Sequence, residues 1–183
     1  MGLEASTHNS GVIHAGIYYP EKSLKARLCV EGRNALYEFC ARNDIPHTRC
    51  GKLIVCTDLT EIPALEEIAK RGRANGVEDL CIVDTRFIQT HEPFVRACAA
   101  LWSPSTGIVE AETLVRTLTQ LATAQGVFLL TGTAVLGGMA GSEGIELQTP
   151  RERIFARTVV NAAGLYADNL SAMLGGETFT IYP

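Results

Sequence analysis

Apolar positions recur along this chain at two periods, and the switches between them mark out short helices and strands. Over residues 23–43, Leu24, Leu28, Gly32, Ala35 and Phe39 share one helical face, with Ser23 placed to cap the start. Ile45-Pro46 breaks that spacing, and residues 51–56 (GKLIVC) read as a strand. Helical spacing returns over 60–75, with Thr60 as cap, Pro63 in the first turn and Asn75-Gly76 as the stop. Residues 80–83 predict a short strand, 85–90 a helix ending before Pro93, and 97–102 another strand. Residues 110–125 give the cleanest amphipathic helix, with Leu114, Leu118, Leu121 and Ala122 on one side. Beyond it, 127–131 reads as a strand, 137–141 as a turn between antiparallel strands, 145–148 and 153–160 as strands, and 167–174 as a last helix.

This alternation predicts an α/β chain in which two subregions are interleaved, and no internal repeat appears. A length of 183 residues suffices for one sizeable domain or pieces of two. The hydrophobic fraction of 46% against 20% charged residues describes globular material. The net charge is −4 and no basic stripe is present, which argues against a nucleic-acid partner. The six cysteines form no C-x-x-C pair and are expected to be buried thiols in a reducing cytoplasm. No apolar run is long enough to span a bilayer, so a cytoplasmic protein is expected, or one peripheral to a membrane.

Two stretches concentrate candidate chemistry. The first runs from His8 through Asn9, Ser10, Gly11, Val12, Ile13, His14, Ala15, Gly16, Ile17, Tyr18 and Tyr19 to Pro20. Its glycines beside polar side chains let the backbone approach a flat or phosphorylated ligand. His8, His14 and Cys29 are too widely spaced for an ordinary metal site, and none is expected. Lys25 falls in the first turn of a helix, where a cation is disfavoured, and a nearby anionic ligand would account for it. The second stretch is Thr158-Val159-Val160-Asn161-Ala162-Ala163-Gly164, which reads as a buried parallel strand ending in small residues. Such a strand end is where α/β sheets hold ligands; packing alone would ask for the same small residues.

The order and spelling of these motifs resemble one family. The run from His8 to Pro20 with Ser23-Leu24-Lys25-Ala26 is similar to the L-2-hydroxyglutarate oxidases and dehydrogenases, FAD-dependent oxidoreductases of the D-amino-acid oxidase type. Cys50-Gly51-Lys52-Leu53-Ile54-Val55, Ser105-Thr106-Gly107-Ile108-Val109 and the run from Val160 to Asp168 extend the resemblance almost end to end. Members of that family open on a G-x-G-x-x-G turn that binds the FAD pyrophosphate, and no such motif occurs here. Glu4 is not assigned to the adenosine ribose, because it matches the loop beyond the family's acidic residue. The resemblance therefore implies an internal fragment, lacking that N-terminal unit and the C-terminal part of the family and expected to bind FAD poorly.

On this resemblance, residues 1–43 and 104–174 form part of a Rossmann-like FAD-binding domain. Residues 44–103 and 175–183 form part of a mixed-sheet substrate domain. His8, Asn9, Ser10 and Gly11 would donate to phosphate, ribityl or ring atoms of FAD, and Ala15 and Gly16 would leave room for the isoalloxazine. Val135 would meet adenine, and Ala162, Ala163 and Gly164 the ribose and pyrophosphate. The implied reaction oxidises the C2 hydroxyl of a small dicarboxylic 2-hydroxy acid. His14 would be the base, Lys25 the carboxylate partner and flavin N5 the hydride acceptor. The electron acceptor that follows is open. Two other readings stand beside this one: an amine or amino-acid oxidase of the same superfamily, and a truncated non-catalytic product.

Overall fold

The computed structural model describes residues 5–182, so Glu4 and the terminal Pro183 lie outside the described residues. Contacts divide the chain into two compact units, one ending at Ala122 and one beginning at Thr123. Each mixes helices with small antiparallel sheets, in keeping with the α/β reading.

In the first unit, α1 (Leu24–Arg42) begins where Ser23 Oγ accepts from the Ala26 N–H at 3.1 Å. α2 (Ile62–Ala74) follows a short 3-10 turn whose start is closed by a reciprocal cap between Asp58 and Glu61. Asp84 caps α3 (Thr85–His91) by accepting from the Phe87 N–H at 2.9 Å. The strands form two three-stranded sheets. One has the order β1 (Val12–Ile13), β6 (Gly107–Val109), β2 (His47–Thr48), and the other β3 (Leu53–Cys56), β5 (Ala99–Trp102), β4 (Cys81–Asp84). Register in the second sheet sets Leu53 and Cys81 on either side of Trp102, and Ile54 and Ile82 on either side of Leu101. Alternation then turns Cys56, Ala99 and Leu101 toward Leu65 and Ala69 of α2, with Ala15 and Ile17 closing the cluster. This core is apolar throughout.

α4 (Ala111–Ala124) is capped by Glu110, which accepts from the Glu112 and Thr113 N–H groups. The second unit holds one antiparallel sheet, β7 (Gly137–Ala140), β8 (Ile145–Gln148), β9 (Arg153–Ala156), and the short helix α5 (Ala167–Met173).

Four expectations need correction. Residues 137–140 are strand β7 rather than a turn, paired along their whole length with β8, and Gly138 packs beneath Leu174. Residues 127–131 form no strand, because among the described residues no neighbouring strand pairs with them. The strand expected over 153–160 stops at Ala156. Thr158-Val159-Val160 is neither paired nor buried, Val160 being 84% exposed. Of the six cysteines only Cys40 and Cys56 are buried, while Cys50 and Cys81 are exposed.

Candidate functional site

The loop at residues 14–19 of the first unit is held by its carbonyls. Cys29 Sγ donates to the His14 carbonyl at 3.4 Å and Arg33 Nη1 to the Ala15 carbonyl at 3.4 Å. Asn75 Nδ2, at the end of α2, donates to the carbonyls of Gly16 at 3.0 Å and Tyr19 at 2.9 Å. Arg33 is itself steadied by Ser105 Oγ at 3.0 Å. Burial pushes the Cys29 thiol upward, outweighing Arg33 and Lys25, so Cys29 stays a neutral donor at neutral pH. Two helices thus fix the backbone of this loop while the His14 side chain remains exposed.

His14 lines a small hollow together with Tyr18, Tyr19, Lys52 and Thr106. The Lys52 ammonium lies 4.7 Å from the Tyr18 ring centroid, and the Lys25 ammonium 4.7 Å from that of Tyr19. Burial raises the Tyr19 hydroxyl above its ordinary range, which keeps the ring neutral. Lys25 therefore reaches the hollow only through Tyr19. Its awkward place in the first turn of α1 has a local partner in that π face. Lys52 also lines a larger cavity of about 370 Å³ whose walls include Cys50, Gly51, Leu53, His91 and Trp102. Trp102 is braced there by Phe87 and His91, at ring-centroid distances of 5.5 and 5.4 Å. Gly51, at φ +75°, lies so close beneath Trp102 that a Cβ would come within 1.9 Å of the ring.

The other expected positions separate into three groups. Asn9, Ser10 and Gly11 line an open groove of about 300 Å³ opposite Glu110 and Glu112, and His8 precedes them. The Asn9 amide is committed to its own turn, with Nδ2 donating to the carbonyls of Ala5 and Ser6 and Oδ1 accepting from the Gly11 N–H. Hydrogen bonding from Thr113 holds the Glu110 carboxyl below its usual range, so this wall is anionic at neutral pH. It suits the hydroxyls of a ribityl chain better than a phosphate. Ala15 and Gly16 are buried, Ala15 in the core and Gly16 against Val30, and both line the hollow.

In the second unit, Asn161 Oδ1 accepts from the Ala163 N–H and its Nδ2 donates to the Ala167 carbonyl at 2.7 Å, which shapes the turn into α5. Ala162 is exposed. Gly164 carries φ +57°, and a Cβ built there would meet nothing within 4 Å. Val135 is half-buried, two residues before β7. An open backbone of small residues fits a cofactor laid against it, as FAD would be.

Lys52 and Asn75 escaped the sequence reading. Lys52 sits inside a strand motif and Asn75 reads as a helix stop; only folding brings either beside residues 14–19.

Comparison with known proteins follows the same line. The chain is 38% identical over 188 residues to the mitochondrial L-2-hydroxyglutarate dehydrogenase of Mus musculus, covering 96% of this chain and 40% of that protein. It is 37% identical over 189 residues to the protein of the same name from Nematostella vectensis, covering 96% and 41%. Among solved structures it superposes with a TM-score of 0.90 and 25% identity on dithionite-reduced L-α-glycerophosphate oxidase from Mycoplasma pneumoniae with FAD bound, covering 98% of this chain and 49% of that one. The chain thus spans about two fifths of the length of these curated relatives. Among the described residues no helix is long and apolar enough to cross a membrane. A model of the FAD dependent oxidoreductases matches residues 1–183, and the chain belongs to that family, whose cofactor is FAD.

Proposed function

We propose that the protein oxidises a small dicarboxylic 2-hydroxy acid, L-2-hydroxyglutarate, to its 2-oxo acid. The observation that carries this reading is the 38% identity, over 96% of the chain, to a protein named for that substrate. Supporting it, the one exposed histidine of the fixed loop borders a hollow that also holds a lysine. His14, whose imidazole can accept a proton, takes the C2 hydroxyl proton as hydride leaves C2, so the substrate loses two electrons and becomes a ketone. When bound, FAD supplies the hydride acceptor, at flavin N5. Lys25, ordered on Tyr19, adds positive charge on the approach for a substrate carboxylate.

The groove at Asn9, Ser10 and Gly11 serves the ribityl side of FAD. Val135, Ala162, Ala163 and Gly164 serve its adenine, ribose and pyrophosphate. In domain terms, residues 1–43 and 104–174 belong to FAD binding, and 44–103 with 175–183 to the substrate side. The mitochondrial names of the relatives favour that compartment over the cytoplasm.

The test is His14→Gln in protein loaded with FAD. Bleaching of the flavin absorbance by L-2-hydroxyglutarate should slow by about 10²- to 10⁴-fold, the span of a lost general base. A rate equal to the parent's removes His14 from the role.

A further inference from the structure

Lys52 lines both the hollow of His14 and the larger chamber of Trp102. Its backbone is fixed as the rung before β3, with its N–H donating to the Ser103 carbonyl at 3.1 Å and its own carbonyl accepting from the Ser103 N–H at 2.9 Å. Its side chain is half-buried and its ammonium rests on the Tyr18 ring. Among the described residues no carboxylate lies within ion-pair distance of it; the ion pairs there involve Arg27, Arg42, Lys70 and Arg153. A half-buried ammonium held on a π face with no counter-charge is preorganised for an anion. The ring limits its rotamers without neutralising it, and an entering carboxylate would recover the Coulomb energy that solvent no longer supplies.

Position then says which carboxylate. The reacting carbon of a hydroxy acid must lie beside His14; the hollow there holds only about 10 Å³, so the rest of the substrate has to extend past Lys52, which also lines the chamber of about 370 Å³. That volume is in the range of small-molecule sites, and Trp102, Leu53 and Val55 offer apolar wall to a methylene arm; Glu92 lines the chamber too, and its carboxylate disfavours an anion beside it, which leaves Lys52 as the place for one. Resting on the reading of His14 as the base, we infer that Lys52 binds the carboxylate remote from the reacting hydroxyl. It thereby selects dicarboxylic over monocarboxylic hydroxy acids. Lys25, which reaches the hollow only through Tyr19, does not set this preference.

Trp102 is the only tryptophan of the chain, so its fluorescence reports on the chamber without turnover. The FAD-loaded protein is titrated with glutarate and, separately, with butyrate, which lacks the second carboxylate. Glutarate should change the Trp102 emission at concentrations at least about tenfold below those butyrate needs, the scale of one charge-assisted hydrogen bond. Lys52→Met should abolish that preference, Lys52→Arg restore most of it, and Lys25→Met leave it unchanged, each variant keeping the parent's circular dichroism. Equal binding of glutarate and butyrate by the parent overturns the inference, as does a preference that survives in Lys52→Met. A preference lost equally in Lys25→Met overturns the division of labour between the lysines. The His14 reading is judged separately: unslowed flavin reduction by His14→Gln with the glutarate preference intact removes the base and leaves Lys52 in place.

Discussion

The two units bury their apolar residues to opposite degrees. The buried apolar side chains, from Ile13 to Leu101, all belong to the first unit; in the second, among the described residues, the only buried side chain is that of Thr149. There Phe128, Val160 and Met139 are 92%, 84% and 72% exposed, and residues 127–130 are exposed throughout. Both units are rich in apolar sequence, so composition does not separate them. What separates them is whether each apolar run meets a partner surface. In the first, β3 and β5 alternate against α2 and the loop at 14–19 closes over them. In the second, the apolar run at 127–131 pairs with no strand among the described residues. A loop whose backbone must be held in place needs the first arrangement; a surface of exposed small residues is compatible with the second.

The largest expected effect follows from that contrast. Leu101→Ala empties a fully buried site in β5 and should cost about 2–5 kcal/mol in a denaturant titration. Phe128→Ala removes a larger side chain that is almost wholly in solvent and should stay within about 0.5 kcal/mol. Equal losses would mean that the second unit buries Phe128 in solution, and the contrast would fall.

A second pair compares one glycine from each unit. Gly51 and Gly164 both hold left-handed backbone, at φ +75° and +57°. Any L-residue there carries a strain of about 1–2 kcal/mol. Gly164→Ala should cost little beyond that, because its Cβ enters open space. Gly51→Ala must also displace the Trp102 ring, adding overpacking of about 1–3 kcal/mol, and should shift Trp102 emission as the chamber rearranges. Matching stabilities for the two variants, with unchanged emission, would show that the Trp102 wall yields freely and that the chamber is not preformed.

How much of this was legible beforehand follows the same divide. α1 was readable because Ser23, its apolar stripe and the break at Ile45-Pro46 agree locally, and local agreement decides a capped helix. The strands of two or three residues, β1, β2 and β6, were not, since their signal is the pairing itself and not the sequence of any one of them. Thr158-Val159-Val160 misled for a related reason. A β-branched run states a preference for a ladder, and only a neighbouring strand can satisfy it. At the site, His14 stood out by residue type within a dense motif. Lys52 did not, because the 37 positions between them are spanned only by the fold, which brings both to one hollow.

The smallest expected effect concerns carboxylates whose work is purely local. In the second unit, Asp168 Oδ2 accepts from the Ile181 N–H at 3.1 Å and Oδ1 from the Asn169 N–H at 2.8 Å, and these bonds hold its carboxyl below the usual range. In the first, Asp58 is lowered in the same way by Thr60. A lowered folded pKa favours the folded state once the unfolded carboxylate is ionised, above a pH of about 3.9, and that contribution fades as pH falls through the folded value. Asp168→Asn should therefore unfold at slightly lower denaturant than the parent at pH 7, with the gap closing in acid. Asp58→Asn should behave likewise, but its gap should be read by probes of the first unit such as Trp102. If Asp168→Asn moves the Trp102 transition as much as Asp58→Asn does, the two units melt as one, and the contrast in burial describes surfaces within a single cooperative fold.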